Sequence, residues 1–392
     1  MSKNIIYKIA WGLLILGVVI LVYFFSKASI DGYTISQSAK TNYTITGQFG
    51  DFVGGVVGTF FALAGTLLIF LTFSEQTKEN KRTAFESSFF EMIRLYRENI
   101  NELRYRKYKN NEMVLYENRQ VVRIIFQEFI ECYREVIKFS NSKDISDYLT
   151  PKYTIKLKKI VTSQNRKIDL IDMARIDIAY SIIFYGLGEE GESTIRKSFL
   201  KKYNSEYFFK LLYFMKLKPK KSNTERFKNW EIARKMQLKE LHPLIDELYS
   251  KRKNLDDTNG LSKQAKEFKL NQPYEKYYGG HQFRLGHYFR HLYQSYKYLN
   301  NTNFTDNEKY AYGKMYRAQL STYEQALLLI NSLSSMGMKW ELNSEETSEN
   351  KKQLNLITKY NLIKNLPGEH ISGVKYKNYY PNVVYETDEQ DI

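Results

Sequence analysis

The chain has 392 residues, with 59 Lys and Arg against 43 Asp and Glu for a formal charge of +16, and 33 tyrosines, 24 phenylalanines and only 6 prolines. Its single cysteine, Cys132, excludes an intrachain disulfide and any multi-cysteine zinc site. The positive balance suits anionic lipid headgroups or nucleic acid, and scarce proline beside abundant aromatics favours long helices, so the expected fold class is all-α.

The first apolar run, Ile9 to Ser26, follows Lys3 and Lys8. It is longer than a signal-peptide core and ends on Tyr23, Phe24 and Phe25, where small residues would mark a cleavage site. With Trp11 and Tyr23 near its ends, at the depth of interfacial aromatics, it reads as a retained anchor. The second run, Phe52 to Phe73, carries no charge. As a helix it reaches about 33 Å, enough for a hydrocarbon core of about 30 Å. Gly54, Gly58, Ala62 and Gly65 fall along one side of it, a small-residue face suited to close helix packing and self-association.

Between the spans, residues 27–48 form an external loop. Tyr33–Ser36 and Tyr43–Thr46 alternate in a way that predicts a small hairpin, and Asn42-Tyr43-Thr44 matches a glycosylation acceptor, meaningful only in a eukaryotic secretory setting. Asp51 is placed to cap the second helix. The basic flanks are Lys3 and Lys8 before the first span and Lys78, Lys81 and Arg82 after the second, which predicts both termini in the cytoplasm.

Helical periodicity continues through Phe85, Phe89, Ile93, Tyr96, Ile100 and Leu103, so the membrane helix is expected to run out into a soluble one, with Arg104–Asn110 as its solvated end. Val121–Phe139 reads as a strongly amphipathic helix containing Cys132 as packing, broken at Asn141–Asp144. Lys167–Tyr185 is a further helix, with Asp169, Asp172 and Asp177 assigned to a solvated face. Gly186–Glu192 closes it; no GK[ST] follows and its acids repel phosphate, so it is no phosphate loop. Ser198–Leu217 is expected in the core, Lys216–Lys221 as a basic linker and internal subdivision, and Thr224–Lys253 as a charged helix followed by polar connecting residues Asp256–Lys263. The expected layout is a membrane anchor at 1–73 (spans about 9–26 and 52–73), a helical stalk at 74–110, a helical cytoplasmic effector or sensor domain at 111–340, and a polar, partly disordered tail at 341–392.

Three of the five histidines, His281, His287 and His291, cluster at or just before an expected helix, Phe283–Leu299. On a helix Arg284, His287 and His291 stand at i, i+3 and i+7, on one face, and form the candidate catalytic set. No glutamate separates the histidines in the manner of HExxH, so no metal or cofactor is assigned. The Arg284-to-His291 spacing resembles that of HEPN-type ribonucleases, where histidine moves protons and arginine steadies a phosphate. Leu285 stands where that pattern has a polar residue. Three roles remain open: hydrogen-bonded helix residues, a metal-independent RNase site acting on RNA, and recognition of an anionic ligand or another component.

Three stretches together resemble the phage abortive infection family of bacteria, AbiC-type. They are the membrane junction from Phe49 to Arg82 with its FGD, GG and LTFSEQ, the run Gly280–Tyr293, and Tyr310–Asn331, whose core Arg317–Asn331 is similar to that family's final long helix. The resemblance implies an antiviral protein of the bacterial inner membrane that stops phage multiplication with loss of the infected cell, and it supplies no catalytic residue. Its partners are expected to be the lipid bilayer, a second copy of the chain, and a phage component or anionic ligand. A membrane signalling or scaffold role outside defence is the remaining alternative.

Overall fold

A computed structural model describes residues 3–32, 43–109, 112–163, 166, 168–254, 257–268, 277–342 and 354–389. The chain divides into two units, Met1–Phe90 and Glu91–Ile392.

In the first unit, α1 (Lys3–Ile30) pairs with a second helix that starts as α2 (Tyr43–Phe52), loosens into a π-turn at Val53–Val57 and continues as α3 (Gly58–Asn101). Both helices are long and apolar enough to cross a membrane. The buried positions step by sevens, Ala10 and Gly17 on one helix and Val57, Ala64 and Leu71 on the other, the spacing of a coiled-coil seam. At Gly17 a Cβ would lie 2.8 Å from the Phe61 ring, so only glycine lets that ring sit against the backbone. Trp11, Ile15, Val22, Phe70 and Phe73 point outward. Thr59, Thr66 and Thr72 turn their hydroxyls onto the carbonyls of Gly55, Ala62 and Leu68, which satisfies these three donors on an apolar surface.

Two expectations for the loop change here. Tyr43–Thr46 is helical, not a strand, and Asp51 lies inside α2 rather than capping a helix. The physical reason is aromatic packing at the end of α1: Phe24 stacks on Phe52 with ring centroids 4.1 Å apart, and Phe25 meets Phe49 at 5.2 Å. Tyr33–Ser36 and Asn42 lie outside the described residues.

Among its described residues the second unit is all-α apart from one hairpin and two isolated bridges. That hairpin corrects the reading of Arg104–Asn110 as a helix end: β1 (Arg104–Lys109) pairs antiparallel with β2 (Glu112–Glu117), Arg104 opposite Glu117 and Tyr108 opposite Met113. Tyr105 and Lys107 turn one face of β1 toward α4 (Arg119–Phe139), where they reach Glu128. Then follow α5 (Pro151–Ser163), α6 (Leu170–Tyr185), α7 (Glu189–Phe199), α8 (Ser205–Lys216), α9 (Thr224–Lys235), α10 (Leu238–Ser250) and α11 (Lys263–Phe268). The expected charged helix at Thr224–Lys253 is thus two helices, parted at Met236 and Gln237. Beyond them come α12 (Gln282–Asn300), α13 (Asp306–Arg317) and α14 (Thr322–Leu333). The core is built on α4 and α6, with α14 packed on both.

Tyrosine hydroxyls explain two further corrections. Asp177 is buried, not solvated, and accepts from the Tyr203 hydroxyl at 2.6 Å and the Ser335 amide at 2.8 Å. Asp172 accepts from Tyr133 and Tyr379, while Asp169 caps α6. A core rich in tyrosine needs buried acceptors, and acids on α6 supply them. Lys218, placed in a basic linker by its sequence, is buried with its ammonium 4.1 Å from the Tyr277 ring centroid and 3.1 Å from the Tyr278 hydroxyl.

The tail corrects its compositional reading as well. Leu356, Ile357, Tyr360, Ile363, Tyr376 and Tyr380 are fully buried. Arg166 joins the Glu341 carboxylate and the Tyr379 carbonyl, and Glu341 also accepts from the Thr358 amide.

Candidate functional site

The seat of α12 is a close approach of two backbones. Gly280 (φ +85°) and Gly186 (φ +79°) adopt the left-handed region, and a Cβ on Gly280 would lie 2.6 Å from the Tyr185 carbonyl oxygen. Through this gap the His281 amide reaches the carbonyls of Ile183 (3.0 Å) and Phe184 (2.9 Å). The start of α12 is thereby tied to the end of α6.

His281 itself is buried. Its Nε2 lies 2.8 Å from Glu128 Oε2, and Arg284 Nη1 donates to its Nδ1 at 3.3 Å. Both contacts together assign the tautomer: Nε2–H donates and Nδ1 accepts. Glu128 takes two more donors on Oε1, the Tyr105 hydroxyl at 2.8 Å and the Lys107 ammonium at 2.9 Å. Burial alone would raise its carboxyl, but His281 and Lys107 outweigh that and hold it down to about 2. One helical turn on, Glu131 accepts from Tyr277 and faces Lys218 at 3.6 Å. Buried Glu128 thus ties α4, the hairpin and the start of α12 together, and half-buried Glu131 adds the stretch before α12.

The three candidates on α12 part company. His291 Nε2–H donates to the Met92 carbonyl on α3 at 2.8 Å. Arg284 Nε donates to the Arg104 carbonyl at 2.9 Å, its guanidinium 4.8 Å from the Tyr105 ring centroid. His287 is exposed and lines two cavities, one of about 430 Å³ shared with Arg284, Arg104 and Asn99, the other of about 630 Å³ shared with Arg290 and Lys339. Arg284 and His287 thus meet in one cavity, whereas His291 is turned toward α3. Among the described residues no three His, Cys, Asp or Glu side chains are placed to hold a metal ion.

Residues 280–371 match the family described as Putative phage abortive infection protein. No curated protein and no solved structure matches the chain. The matched range agrees with the AbiC-type resemblance and supports a phage-defence role. It begins on the glycine that seats α12 and ends within the packed tail. The membrane junction lies outside it.

Inside the match, Arg317–Asn331 is not one helix from end to end. It breaks at Ala318–Leu320, and Ser321 with Glu324 opens α14 as a reciprocal capping box. Glu324 then runs buried to the Tyr96 hydroxyl of α3. Glu128 and Lys107 were not singled out from sequence. Their signal was present: Glu128, Glu131 and Glu135 recur at i, i+3 and i+7 on a helix whose other periodic positions are apolar.

Proposed function

We propose that this chain is a membrane-anchored abortive-infection protein of the bacterial inner membrane, in which α12 serves recognition rather than turnover. The observation that carries the reading is the family match at residues 280–371, opening on the glycine and histidine that seat α12. The apolar pair of helices supports the anchor. Basic flanks on the outer ends of both spans, with Lys3 paired to Glu75, favour both termini on the cytoplasmic side. The glycine face of the second span is proposed for self-association in the bilayer. A nuclease would need Arg284 and His291 turned together on a phosphate, whereas both are engaged by backbone carbonyls.

The test follows membrane potential and bulk RNA integrity in one infected culture expressing the chain. Early depolarisation with intact RNA and reduced phage yield is the expected result. RNA cleavage before depolarisation would establish the nuclease instead, and unreduced phage yield would remove the defence role.

A further inference from the structure

The larger cavity beside α12, about 630 Å³, lies between the end of α6, α12 and the turn after α14. Its walls all belong to the second unit. His287, Arg290 and Lys339 line it, and among the described residues no Asp or Glu does. Partial desolvation and the neighbouring cations Arg290 and Lys297 push the Lys339 ammonium down. Like charges gathered around one cavity repel one another unless an anion joins them.

The walls are held in place. Trp340 Nε1–H donates to Asn331 Oδ1 at 3.2 Å, Asn331 Nδ2 donates to the Tyr180 hydroxyl at 2.9 Å, and Tyr293 packs edge-on against Trp340 at 5.1 Å. Gly337 makes the turn possible, since a Cβ there would lie 2.1 Å from the Asn331 carbonyl oxygen. This turn places Lys339 over the Tyr293 ring at 4.4 Å. On the same cavity Phe283 is 74% exposed, with the Arg284 guanidinium 4.2 Å from its ring centroid. A large aromatic surface left in water beside a basic cavity suits a stacking base.

We propose that this cavity binds a phosphorylated nucleotide, its phosphates held by Lys339, Arg290 and His287 and its base stacked on Phe283. The volume falls within the range of about 300–1,000 Å³ usual for small-molecule sites and well above what a lone phosphate fills. Arginine supplies a planar fork for phosphate oxygens and lysine a point charge. Nucleotide binding here rests on the recognition role of α12 proposed above.

Calorimetric titration of the full-length chain in detergent micelles, with ATP, GTP, CTP, UTP, adenosine and tripolyphosphate as separate probes, tests it. At least one nucleoside triphosphate is expected to bind more tightly than tripolyphosphate, and adenosine not at all. Arg290→Gln and Lys339→Met should each weaken that binding about tenfold or more. Phe283→Ala should weaken nucleotide binding several-fold and leave tripolyphosphate unchanged. All three side chains are exposed, so melting temperatures should hold; if Lys339→Met lowers the yield, Arg290→Gln decides. No binding across the four triphosphates, or binding indifferent to both cation variants, overturns the site. Equal affinity for tripolyphosphate with no response to Phe283→Ala overturns the nucleotide. Nucleotide binding by a chain that fails to protect infected cells would remove the defence reading and leave the site standing, whereas protection without binding would remove the site alone.

Discussion

In the unit Met1–Phe90 the seam is made of Ala10, Gly17, Val57, Ala64 and Leu71, and the large apolar side chains Trp11, Phe70 and Phe73 face outward. In the unit Glu91–Ile392 the large side chains are inside, Trp230, Trp340, Phe129, Phe214, Tyr96, Tyr180, Tyr316 and Tyr360 among them less than 2% exposed, and Glu128, Asp177, Glu324 and Glu341 are buried with them. The first pattern suits the proposed place in a bilayer, a solvent as apolar as leucine, where small residues gain by close backbone approach. The second needs water outside, and it needs acids inside because each buried tyrosine hydroxyl must find an acceptor. Substitutions that act on one pattern should therefore leave the other alone, which gives a graded set of tests.

The largest effect is expected at Glu341. Its carboxylate is the buried partner of Arg166 and also takes the Thr358 amide and hydroxyl. Glu341→Ala strands a buried guanidinium, at a cost of about 3–5 kcal/mol. Thermal unfolding of the solubilised chain should show it, and limited proteolysis should cut in the tail. A melting temperature unchanged from wild type would show that the tail contributes nothing to the core.

Glu128 comes next and carries a pH signature. Its folded value of about 2 lies below the ordinary 4.5, so its stabilisation is complete above about pH 4.5 and is lost as pH falls toward about 2. The full swing is about 3 kcal/mol. Glu128→Gln should lower stability at neutral pH, and the gap to wild type should close as pH drops through that window. A gap that stays constant down to about pH 3 would mean the Lys107 and His281 contacts are not electrostatic in origin.

How much of this could be read beforehand differs between the units for a physical reason. The two long apolar helices were legible because length and the absence of charge alone mark them. The long amphipathic helix at Arg119–Phe139 was legible because its apolar face repeats with the helical period. Arg104–Lys109 misled because it has no apolar stripe; its strand character comes from alternating Tyr105 and Lys107 against Glu128, a partner 21 to 23 residues away. The tail misled because composition counts its polar residues and misses that Tyr360, Tyr376 and Tyr380 are spaced to reach the core. The break before α14 was readable as Ser321-x-x-Glu324, a local signal overridden by an apolar run on its far side. At the site, Arg284, His287 and His291 share a helix face, but their partners come from α3 and β1, and no spacing along α12 reports them.

His291 is a smaller test. Losing its hydrogen bond to the Met92 carbonyl should cost about 1 kcal/mol, visible as a modest fall in melting temperature with partly reduced protection against phage. His291→Gln keeps a donor and should restore both. Full loss of protection by His291→Ala at unchanged stability would instead mark a proton carrier and bring back the nuclease.

The smallest effect on stability, and the sharpest on the first unit, is expected at Gly58. Gly17 and Gly58 are both glycines of the apolar pair, but they face different surroundings. A Cβ on Gly17 meets Phe61, so Gly17→Leu should force α1 and α3 apart and lower the yield of folded protein. A Cβ on Gly58 meets only the carbonyl of Val53 on its own helix, 3.6 Å away, and at Gly54 and Gly65 nothing lies within 4 Å. At roughly 100° per residue the face of Gly54, Gly58 and Ala62 is turned about a quarter to a third of a circle from the seam of Val57, Ala64 and Leu71. Seam packing is therefore not what this face provides. Gly58→Ile should leave folding and yield intact while shifting cross-linked species in native membranes from oligomer toward monomer, because a branched side chain holds a facing backbone away. An unchanged cross-linking pattern at equal protein level would mean that the face meets lipid alone, and self-association would have to be sought in the second unit.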